Sequence, residues 1–581
     1  MSRVKLLVFA AAVATSAGAQ RLELSIAKAG SFAISMDGRP WLRGGETQAG
    51  GLSSSALARE EKLLPSAPIR SDGEDELGHY NRTSIEWRGV GNGRAIMTTS
   101  FRTYTSDPST IVFEQLFPAG LDGAGVLLDD ADRAMALDVT ARRNGATTGA
   151  RLASHASTGK VNAQSIFPGF TRDTDADAKD CFAYHGVFPQ MEHCTTATYH
   201  DSHMGGVPLV IYDSKDTSLP MTVFSPLNQP MASHMASGLS FFGAGVKSTV
   251  TRIPAGWSQL FILTAGTGIN SGMMAWGDRM LKYTGKPRAN MYKDLTHSTI
   301  GFWTDNGGYY HYKTGEPNCK PGDCPSYETV LPKVKAYHDS IGVPFRHWQF
   351  DSWFYPKDGG VTSSGGGGAV TNWTADPKIF PSGMVAIQQK LDLPIVMHNR
   401  QWSTHSDYIK TGCMRSANRE PPEKSARADS EYCEWYNSSK AAVPADPTNF
   451  FTWFFTQQDG WGLSMYEQDW MSTEYDDVDV LQTNISMGDL WLQGMATGAQ
   501  SSNRSVQFCM PYANQVLSAA SLPAVTNARA TEDYLHAIHQ WAIGGTSLFY
   551  WAIGILPFKV EPPCPPNSLN QECDTHTYAL R

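Results

Sequence analysis

Residues 463–510 read LSMYEQDWMSTEYDDVDVLQTNISMGDLWLQGMATGAQSSNRSVQFCM, and this stretch decides the fold class. The runs at 463–466 and 506–510 are short and mostly apolar, whereas residues 477–496 between them have helical periodicity. Parallel strands need a crossover of a dozen residues or more, which is usually a helix. The stretch therefore predicts a strand–helix–strand unit of a parallel sheet.

The same alternation continues on both sides of this unit. Further apolar runs lie at residues 300–304, 345–350, 394–397, 516–522, 524–528 and 547–553, and further helical stretches at 327–341, 384–391 and 532–543. Seven such units in a row favour a (β/α)₈ barrel over a doubly wound sheet, and no glycine-rich phosphate fingerprint follows the first run. We expect this barrel over residues 295–581; an eighth strand is not evident, so its C-terminal completeness stays open.

The residues before the barrel follow a different pattern. Between 20 and 268, short β-branched or aromatic runs alternate with Gly, Asp, Asn and Pro, which predicts a β-sandwich domain. Residues 270–285 read as one amphipathic helix that ends at Gly285-Lys286-Pro287. We therefore place a linker helix in residues 269–294, between the β-sandwich and the barrel.

The N-terminus and the cysteines indicate the secretory pathway. Residues 1–19 combine a basic start, an apolar run and small residues before Gln20, as a cleaved signal peptide does. Eight of the nine cysteines form local pairs, which suits disulfides in an oxidising compartment: Cys181/Cys194, Cys319/Cys324, Cys413/Cys433 and Cys564/Cys573. Cys509 is left as a buried free thiol. Five N-x-S/T sequons are candidate glycosylation sites: Asn81, Asn372, Asn437, Asn484 and Asn503. We predict a secreted glycoprotein.

Composition limits the partners. The 47 basic and 56 acidic residues give a net charge of -9 without a basic stripe, which argues against nucleic acid. No segment after the signal peptide has eighteen consecutive apolar residues, so no membrane span is expected. A divalent metal is an alternative for one histidine-rich loop of the sandwich, which holds His185, His193, His200, Asp201 and His203. Scattered loop histidines are more often inert, and we expect neither metal nor cofactor.

Polar residues and tryptophans follow the apolar runs, where barrels carry their reactive groups. From the first four runs and the run at 524–528 they are Trp303 and Asp305; Asp351 and Trp353; His398, Arg400 and Trp402; Glu467 and Asp469; and Arg529 and Asp533. A single Asp after a strand is often only a helix N-cap. Several carboxylates at strand ends, beside aromatic rings, instead suit carbohydrate chemistry, where two carboxyl groups act on one glycosidic bond.

Three of these motifs resemble the α-galactosidase and raffinose-synthase superfamily, a clan (glycoside hydrolase clan D) of retaining α-glycosidases. They are YEQDW at 466–470, R-x-x-x-D at 529–533 and FDSW at 350–353, and the resemblance covers roughly residues 295–555. It implies a β-sandwich before a (β/α)₈ barrel and an oligosaccharide, polysaccharide or glycoconjugate substrate. It also implies that Asp469 is the nucleophile and Asp533 the acid/base.

The resemblance implies substrate-binding roles for the remaining strand-end residues. Arg529, Asp351 and Trp353 would contact the sugar, and Trp303 with Asp305 would line the floor of its pocket; His398, Arg400, Trp402 and Glu467 are further candidates. Glu467 departs from the family, because α-galactosidases have a lysine two residues before the nucleophile. This departure leaves the sugar open. A transglycosylase of the raffinose-synthase type and a non-catalytic carbohydrate-binding protein are the alternatives.

Overall fold

The computed structural model describes most of the chain between residues 20 and 558. The described residues are 20–56, 62–91, 93–122, 163–200, 204–238, 240–304, 327–359, 368–409, 414–415, 435–438, 440–531 and 540–558. Two predicted site residues, Asp305 and Asp533, lie outside these ranges, as do the signal segment and the cysteine pairs other than Cys181/Cys194. The Cys181–Cys194 disulfide is present, and Cys509 is a buried free thiol, so both predictions are confirmed.

A ten-stranded antiparallel sheet dominates the N-terminal half. In spatial order its strands are Gln190–Thr195, Asp180–His185, Leu209–Tyr212, Pro220–Pro226, Trp257–Thr267, Thr110–Phe117, Met97–Tyr104 and Gly78–Gly89, with Leu63–Pro65 and Ile69–Asp75 both paired to the last of these. The central strand Thr110–Phe117 buries all its residues except Leu116. Burial on both faces extends to the polar side chains of Glu114 and Gln115, and the Gln115 amide donates to the Phe167 carbonyl at 2.6 Å.

A smaller sheet covers one face of the large sheet. Its strands are Gly169–Thr171, Phe241–Val246 and Ser233–Ser237. The Phe170 ring lies 6.2 Å from Phe113 and 5.5 Å from Phe224, both on the large sheet. Short sheets complete this half of the chain: Leu22–Ile26 with Phe32–Met36 and Arg39–Arg43, Gln48–Ala49 with Leu52–Ser53 and Ser165–Ile166, and Leu121–Asp122 with Arg252–Ile253. A 3-10 turn spans Pro230–Ala232. Two layers of β-structure thus share one aromatic core.

Helix Ile269–Thr284 joins the two halves of the chain. It ends at Gly285, which adopts the left-handed conformation (φ 73°) that favours glycine at a helix end. The indole of Trp276 donates a hydrogen bond to Ser225 of the large sheet and packs against Phe549, in helix Gln540–Ala552 of the second half. The helix therefore packs on both halves, and Arg288–Lys293 (3-10) and Leu295–Ser298 follow it.

Gly277→Ala is expected to destabilise this junction strongly. A Cβ at Gly277 would lie 1.9 Å from the carbonyl oxygen of Ala552, and backbone cannot move aside cheaply. Overpacking of this kind costs about 3 kcal/mol, so the melting temperature should fall by about 5 °C or more. The matched control is Gly544→Ala on the partner helix, where a Cβ meets no atom within 4 Å and alanine favours the helix. Equal melting temperatures for the two variants would contradict this packing.

A parallel sheet of seven strands forms the second half. In spatial and chain order the first to seventh strands are Gly301–Trp303, His347–Phe350, Ile395–Asn399, Leu463–Gln468, Ser505–Phe508, Val525–Arg529 and Leu556–Phe558. The rings of Trp303 and Phe558, on the first and last strands, lie only 4.6 Å apart. The sheet is therefore curled, with its two edges brought close together. The described residues contain no eighth strand of this sheet.

Helices follow most of the parallel strands. They are Tyr327–Ser340, Gly383–Leu391, Pro447–Thr456, Met471–Asp477, Asp479–Thr483, Met487–Ser501, Ala513–Ser518 and Gln540–Ala552, with a 3-10 turn at Ala519–Ser521. A small sheet (Met414–Arg415, Trp435–Asn437, Ala442–Pro444) follows the third strand. Among the helices of the described ranges, none has both the length and the apolarity needed to cross a bilayer.

Two predicted strands are wrong. Residues 516–522 lie mostly in helix Ala513–Ser518 and the turn after it, and residues 547–553 lie in and just beyond helix Gln540–Ala552. Both runs are largely buried, and a short buried run carries too little polar contrast to separate the strand period from the helix period. The seventh strand is instead Leu556–Phe558. The single helix predicted at 477–496 is also interrupted, where the Asn484 side chain accepts hydrogen bonds from the backbone of Ser486 and Met487.

Candidate active site

Asp469 and His398 form the centre of a buried polar cluster at the carboxyl ends of the parallel strands. Asp469 follows the fourth strand and His398 closes the third, so their side chains meet at one edge of the sheet. His398 Nε2 lies 3.1 Å from Asp469 Oδ2, and its Nδ1 lies 2.8 Å from the Tyr355 hydroxyl. The backbone N–H of Trp470 donates to the other carboxylate oxygen at 2.7 Å. Both oxygens of Asp469 are thus held in place.

These contacts keep Asp469 ionised. Burial by itself would raise the pKa of Asp469, but the hydrogen bond and charge of His398, with the Cys509 thiol and the Trp470 N–H, lower it to about 2. Burial would likewise lower the pKa of His398, but the charges of Asp351, Asp469 and Glu467 raise it to about 9. An imidazolium therefore faces a carboxylate at neutral pH. The Asp469 side chain is 14% exposed against 3% for His398, so the carboxylate is the member of the pair that a ligand can reach.

Glu467 is a second carboxyl group on the same strand, in a different ionisation state. Residues two apart on a strand point to the same side, so Glu467 and Asp469 share the interior of the curled sheet. The Gln349 amide donates to Glu467 Oε2 at 3.0 Å and to Asp351 Oδ2 at 2.9 Å. Burial, together with the negative charges of Asp351 and Asp469, raises the pKa of Glu467 to about 7 in spite of His398. The site thus combines an ionised carboxylate with one that can carry a proton near neutral pH.

Cationic side chains border this cluster. The Arg400 guanidinium, 2% exposed, lies 4.4 Å from the centre of the Trp470 ring. Trp470 has a left-handed backbone (φ 59°), which is costly for a bulky residue and concentrates at functional sites. Burial, and then the charge of Arg400, lower the pKa of Lys357 to about 7. Arg400 therefore stands beside the residue that directly follows Asp469.

Cys509, directly after the fifth strand, and Arg529, at the end of the sixth, lie on one side of Asp469. The Arg529 guanidinium donates to the Cys509 sulfur at 3.7 Å, and the Cys509 thiol is hydrogen-bonded to Asp469. Cys509 was not predicted as a site residue, nor were Tyr355 and Gln349. The position of Cys509 directly after the fifth strand, where reactive groups of parallel sheets lie, was the available signal.

The structure brings only some of the predicted residues together. Asp351, His398, Arg400, Glu467, Asp469 and Arg529 gather at one end of the sheet. Trp353 is fully buried, 4.4 Å from the Tyr327 ring, and Trp402 is fully buried against Trp435 and Phe454. These two rings form part of the core behind the site instead of its surface. Trp303 packs on Phe558 where the sheet edges meet, and Asp305 and Asp533 lie outside the described residues.

Two solved structures show a distant similarity to this chain. One is an α-N-acetylgalactosaminidase, NagBb from Bifidobacterium bifidum in complex with GalNAc, with 9% identity and a TM-score of 0.48 over 91% of this chain and 82% of that chain. The other is the galactosidase domain of the α-galactosidase–sucrose kinase AgaSK, with 8% identity and a TM-score of 0.48 over 87% of this chain and 65% of that chain. No protein-family model matches the chain. No curated protein matches it either.

The histidine-rich loop is the other candidate site that the sequence offers. The rings of His185 and His200 lie 5.8 Å apart, and burial lowers the pKa of His185 to about 4. Within the described ranges no three His, Cys, Asp or Glu side chains are grouped so that they could hold a metal ion. Asp201 and His203 fall outside those ranges. The metal alternative therefore has no support from the residues that can be placed.

His398→Gln and His347→Gln are expected to differ in how their stability depends on pH. The folded pKa of His398 is raised, so its stabilising contribution is complete below about pH 6.5 and is lost as pH rises through about 9. Burial lowers the pKa of His347 to about 4, so its contribution is constant above about pH 6.5. Between pH 7 and 9.5 the melting-temperature gap between wild type and His398→Gln should narrow by about 2–4 °C. The gap to His347→Gln should stay constant, and parallel curves for the two variants would contradict the charged state of His398.

Proposed function

We propose that this protein is a secreted retaining α-glycosidase. The observation that carries the proposal is Asp469 itself: a carboxylate at the end of a central parallel strand, held ionised by His398 and partly open to solvent. A structural salt bridge would not need a neighbouring carboxyl group that keeps its proton near pH 7, as Glu467 does. Carboxyl groups of unlike ionisation state in one pocket are the arrangement that glycoside hydrolysis uses.

The mechanism proceeds in two steps. The protonated Asp533 carboxyl gives its proton to the glycosidic oxygen while an oxygen of Asp469 attacks the anomeric carbon, so the bond to the leaving group breaks and a glycosyl ester forms. Asp533, now ionised, takes a proton from water. The water oxygen attacks the same carbon, the ester bond breaks, and the sugar leaves with its original anomeric configuration. No cofactor enters either step.

The environment of Asp469 suits a nucleophile. Its low pKa keeps Asp469 ionised at any physiological pH. The imidazolium of His398 holds one carboxylate oxygen in place by a hydrogen bond. The Trp470 N–H fixes the second oxygen. The carboxylate is thus oriented before the substrate arrives, and orientation of this kind lowers the entropy cost of attack.

The substrate pocket contains both acceptors and donors for sugar hydroxyls. Asp351 accepts hydrogen bonds, Glu467 accepts them and, when it carries its proton, also donates one, and Arg400 and Arg529 donate. Because α-galactosidases have a lysine at the position of Glu467, we propose a glycone that differs from galactose at the hydroxyl facing this position. The disulfide Cys181–Cys194 suits an oxidising compartment, which supports secretion.

The test is a hydrolysis screen on aryl α-glycosides (galactoside, glucoside, xyloside and fucoside), with the first-formed sugar observed by NMR. Wild type should hydrolyse at least one of them and release the α-anomer first. Asp469→Asn should be inactive. The control is Asp392→Asn, the same change at an exposed residue whose left-handed backbone conformation suits asparagine, and it should keep full activity. A β-anomer as first product would overturn the retaining mechanism, and an inactive, folded wild type would overturn the glycosidase assignment for these sugars.

A further inference from the structure

A hairpin of the β-sandwich reaches the end of the parallel sheet where Asp469 lies. Its strands, Asp180–His185 and Gln190–Thr195, are joined near their base by the Cys181–Cys194 disulfide. Its tip contains Gly186 (φ 76°) and Phe188 (φ 53°), both in the left-handed region. A phenylalanine in that conformation is unusual, and it is kept where the surrounding structure over-determines the backbone.

The barrel supplies those surroundings. The backbone N–H of Phe188 donates to the Pro511 carbonyl at 2.9 Å, and Val187 forms an antiparallel bridge with Tyr512, directly after the end of the fifth strand. On the other side of the tip, Thr546 donates to the Pro189 carbonyl at 2.7 Å. The hairpin is therefore bonded to the fifth-strand loop and to helix Gln540–Ala552 at the same time.

A second group of contacts packs the stem of the hairpin against helix Gln540–Ala552. The Tyr184 hydroxyl donates to the Gly545 carbonyl at 2.8 Å, and the Tyr184 ring lies 4.9 Å from the ring of Phe549. Both partners belong to helix Gln540–Ala552. The hairpin is thus held along its length, so its tip has a defined position relative to the strand ends.

The Phe188 ring is placed against Arg529. The guanidinium carbon of Arg529 lies 5.8 Å from the centre of the Phe188 ring, which is 5% exposed. Arg529 donates to the sulfur of Cys509, and the Cys509 thiol is hydrogen-bonded to Asp469. A continuous series of contacts therefore connects the hairpin tip to the carboxylate of Asp469 through two side chains.

We infer that Phe188 is a positioning residue for the active site: its ring holds the Arg529 guanidinium in the orientation that binds the glycoside. This inference rests on the proposed function. An aromatic face attracts a guanidinium more strongly when both are desolvated, as they are here, and it takes up none of the N–H donors. The same guanidinium donates to the Cys509 sulfur and to the Thr531 carbonyl oxygen.

The decisive variant is Phe188→Leu, which keeps apolar bulk but removes the aromatic face. KM on the best aryl glycoside should rise about tenfold, with kcat changed less than about threefold, because a substrate-binding group loses its orientation while Asp469 stays in place. Phe188→Tyr, which keeps the ring, should restore the wild-type KM. Phe, Leu and Tyr at position 188 would all adopt the same left-handed backbone conformation, so backbone strain does not confound the comparison. If Phe188→Leu does not fold, Phe188→Met replaces it, since methionine also keeps volume without a ring.

The matched control is Phe182→Leu, the same change in the same hairpin. Phe182 is 2% exposed and packs on Tyr184, His193 and Tyr212, so its loss loosens the hairpin without touching Arg529. It should lower the melting temperature and leave KM unchanged. A double-mutant cycle completes the test: in an Arg529→Lys background, Phe188→Leu should change KM by less than about twofold, because it acts through the guanidinium.

The outcomes separate the two proposals. An active wild type with an unchanged KM in Phe188→Leu overturns the role of Phe188 alone. An equal rise of KM in Phe182→Leu, or a Phe188→Tyr variant that does not recover, also overturns it, since the effect would then not belong to the ring facing Arg529. A folded wild type that is inactive on every glycoside overturns the proposed function and this inference with it.

Discussion

Asp469→Gly is expected to lower kcat on an aryl α-glycoside by about 10⁴-fold or more, the usual cost of removing a nucleophile. The loss should exceed anything that a binding residue of the site produces, because Asp469 is held ionised and its side chain is 14% exposed. His398 and the Trp470 N–H would be left facing a cavity of carboxylate size. The measurement is kcat of Asp469→Gly beside wild type, and the variant should be folded, be expressed at the wild-type level and have the lowered kcat.

That cavity allows a sharper experiment, chemical rescue by azide. An azide ion bound beside His398 should attack the anomeric carbon in place of Asp469, so the aryl oxide leaves and a glycosyl azide forms. Because attack comes from the side that Asp469 occupied, the product should be the β-glycosyl azide, identified by NMR. Azide should not raise the activity of wild type or of Asp392→Asn, and neither should form a glycosyl azide. A variant that is inactive and not rescued, or that gives the α-azide, would remove Asp469 from the role of nucleophile.

The fold could be predicted where periodicity and length agreed. The helix predicted at 270–285 matches Ile269–Thr284, because an amphipathic helix leaves a distinct pattern. The strand predictions for residues 516–522 and 547–553 failed for a physical reason: helices buried against the sheet are apolar on several faces, so their sequences resemble buried strands. Curling of the sheet, shown by Trp303 beside Phe558, depends on contacts between its first and seventh strands and has no local signature in the sequence.

The site was predictable only to the level of strand ends. Asp351, His398, Arg400, Glu467, Asp469 and Arg529 share one end of the sheet because parallel strands share a direction, which is a property of the pattern. Trp353 and Trp402 follow the same strands but turn into the core, and a sequence does not specify the direction of a side chain beyond a strand end. Phe188 lies more than 300 positions before Arg529, on another sheet, and no spacing rule connects them.

Asp533→Ala is expected to lower the hydrolysis of a glycoside with a poor leaving group by about 10³-fold, while a dinitrophenyl glycoside still forms the glycosyl ester rapidly. A good leaving group needs no proton, so only the first substrate depends on the acid. Glu467→Gln should lower both rates by less than about tenfold and equally. The two variants separate the proton donor from a substrate-binding carboxyl group, although Glu467 has a pKa of about 7 that by itself would suit an acid.

The geometry of Glu467 argues against it as the proton donor. Glu467 and Asp469 project from one strand to one side, with Cα atoms about 6.6 Å apart, so both approach a bound sugar from the same direction. A retaining glycosidase needs its acid beside the leaving oxygen, opposite the attacking carboxylate, and a residue from another strand satisfies this. The Gln349 amide also directs one Glu467 oxygen toward Asp351 and away from solvent. If Glu467→Gln showed the leaving-group dependence and Asp533→Ala did not, proton donation would belong to Glu467, and the glycosidic oxygen would have to lie on the Asp469 side of the sugar.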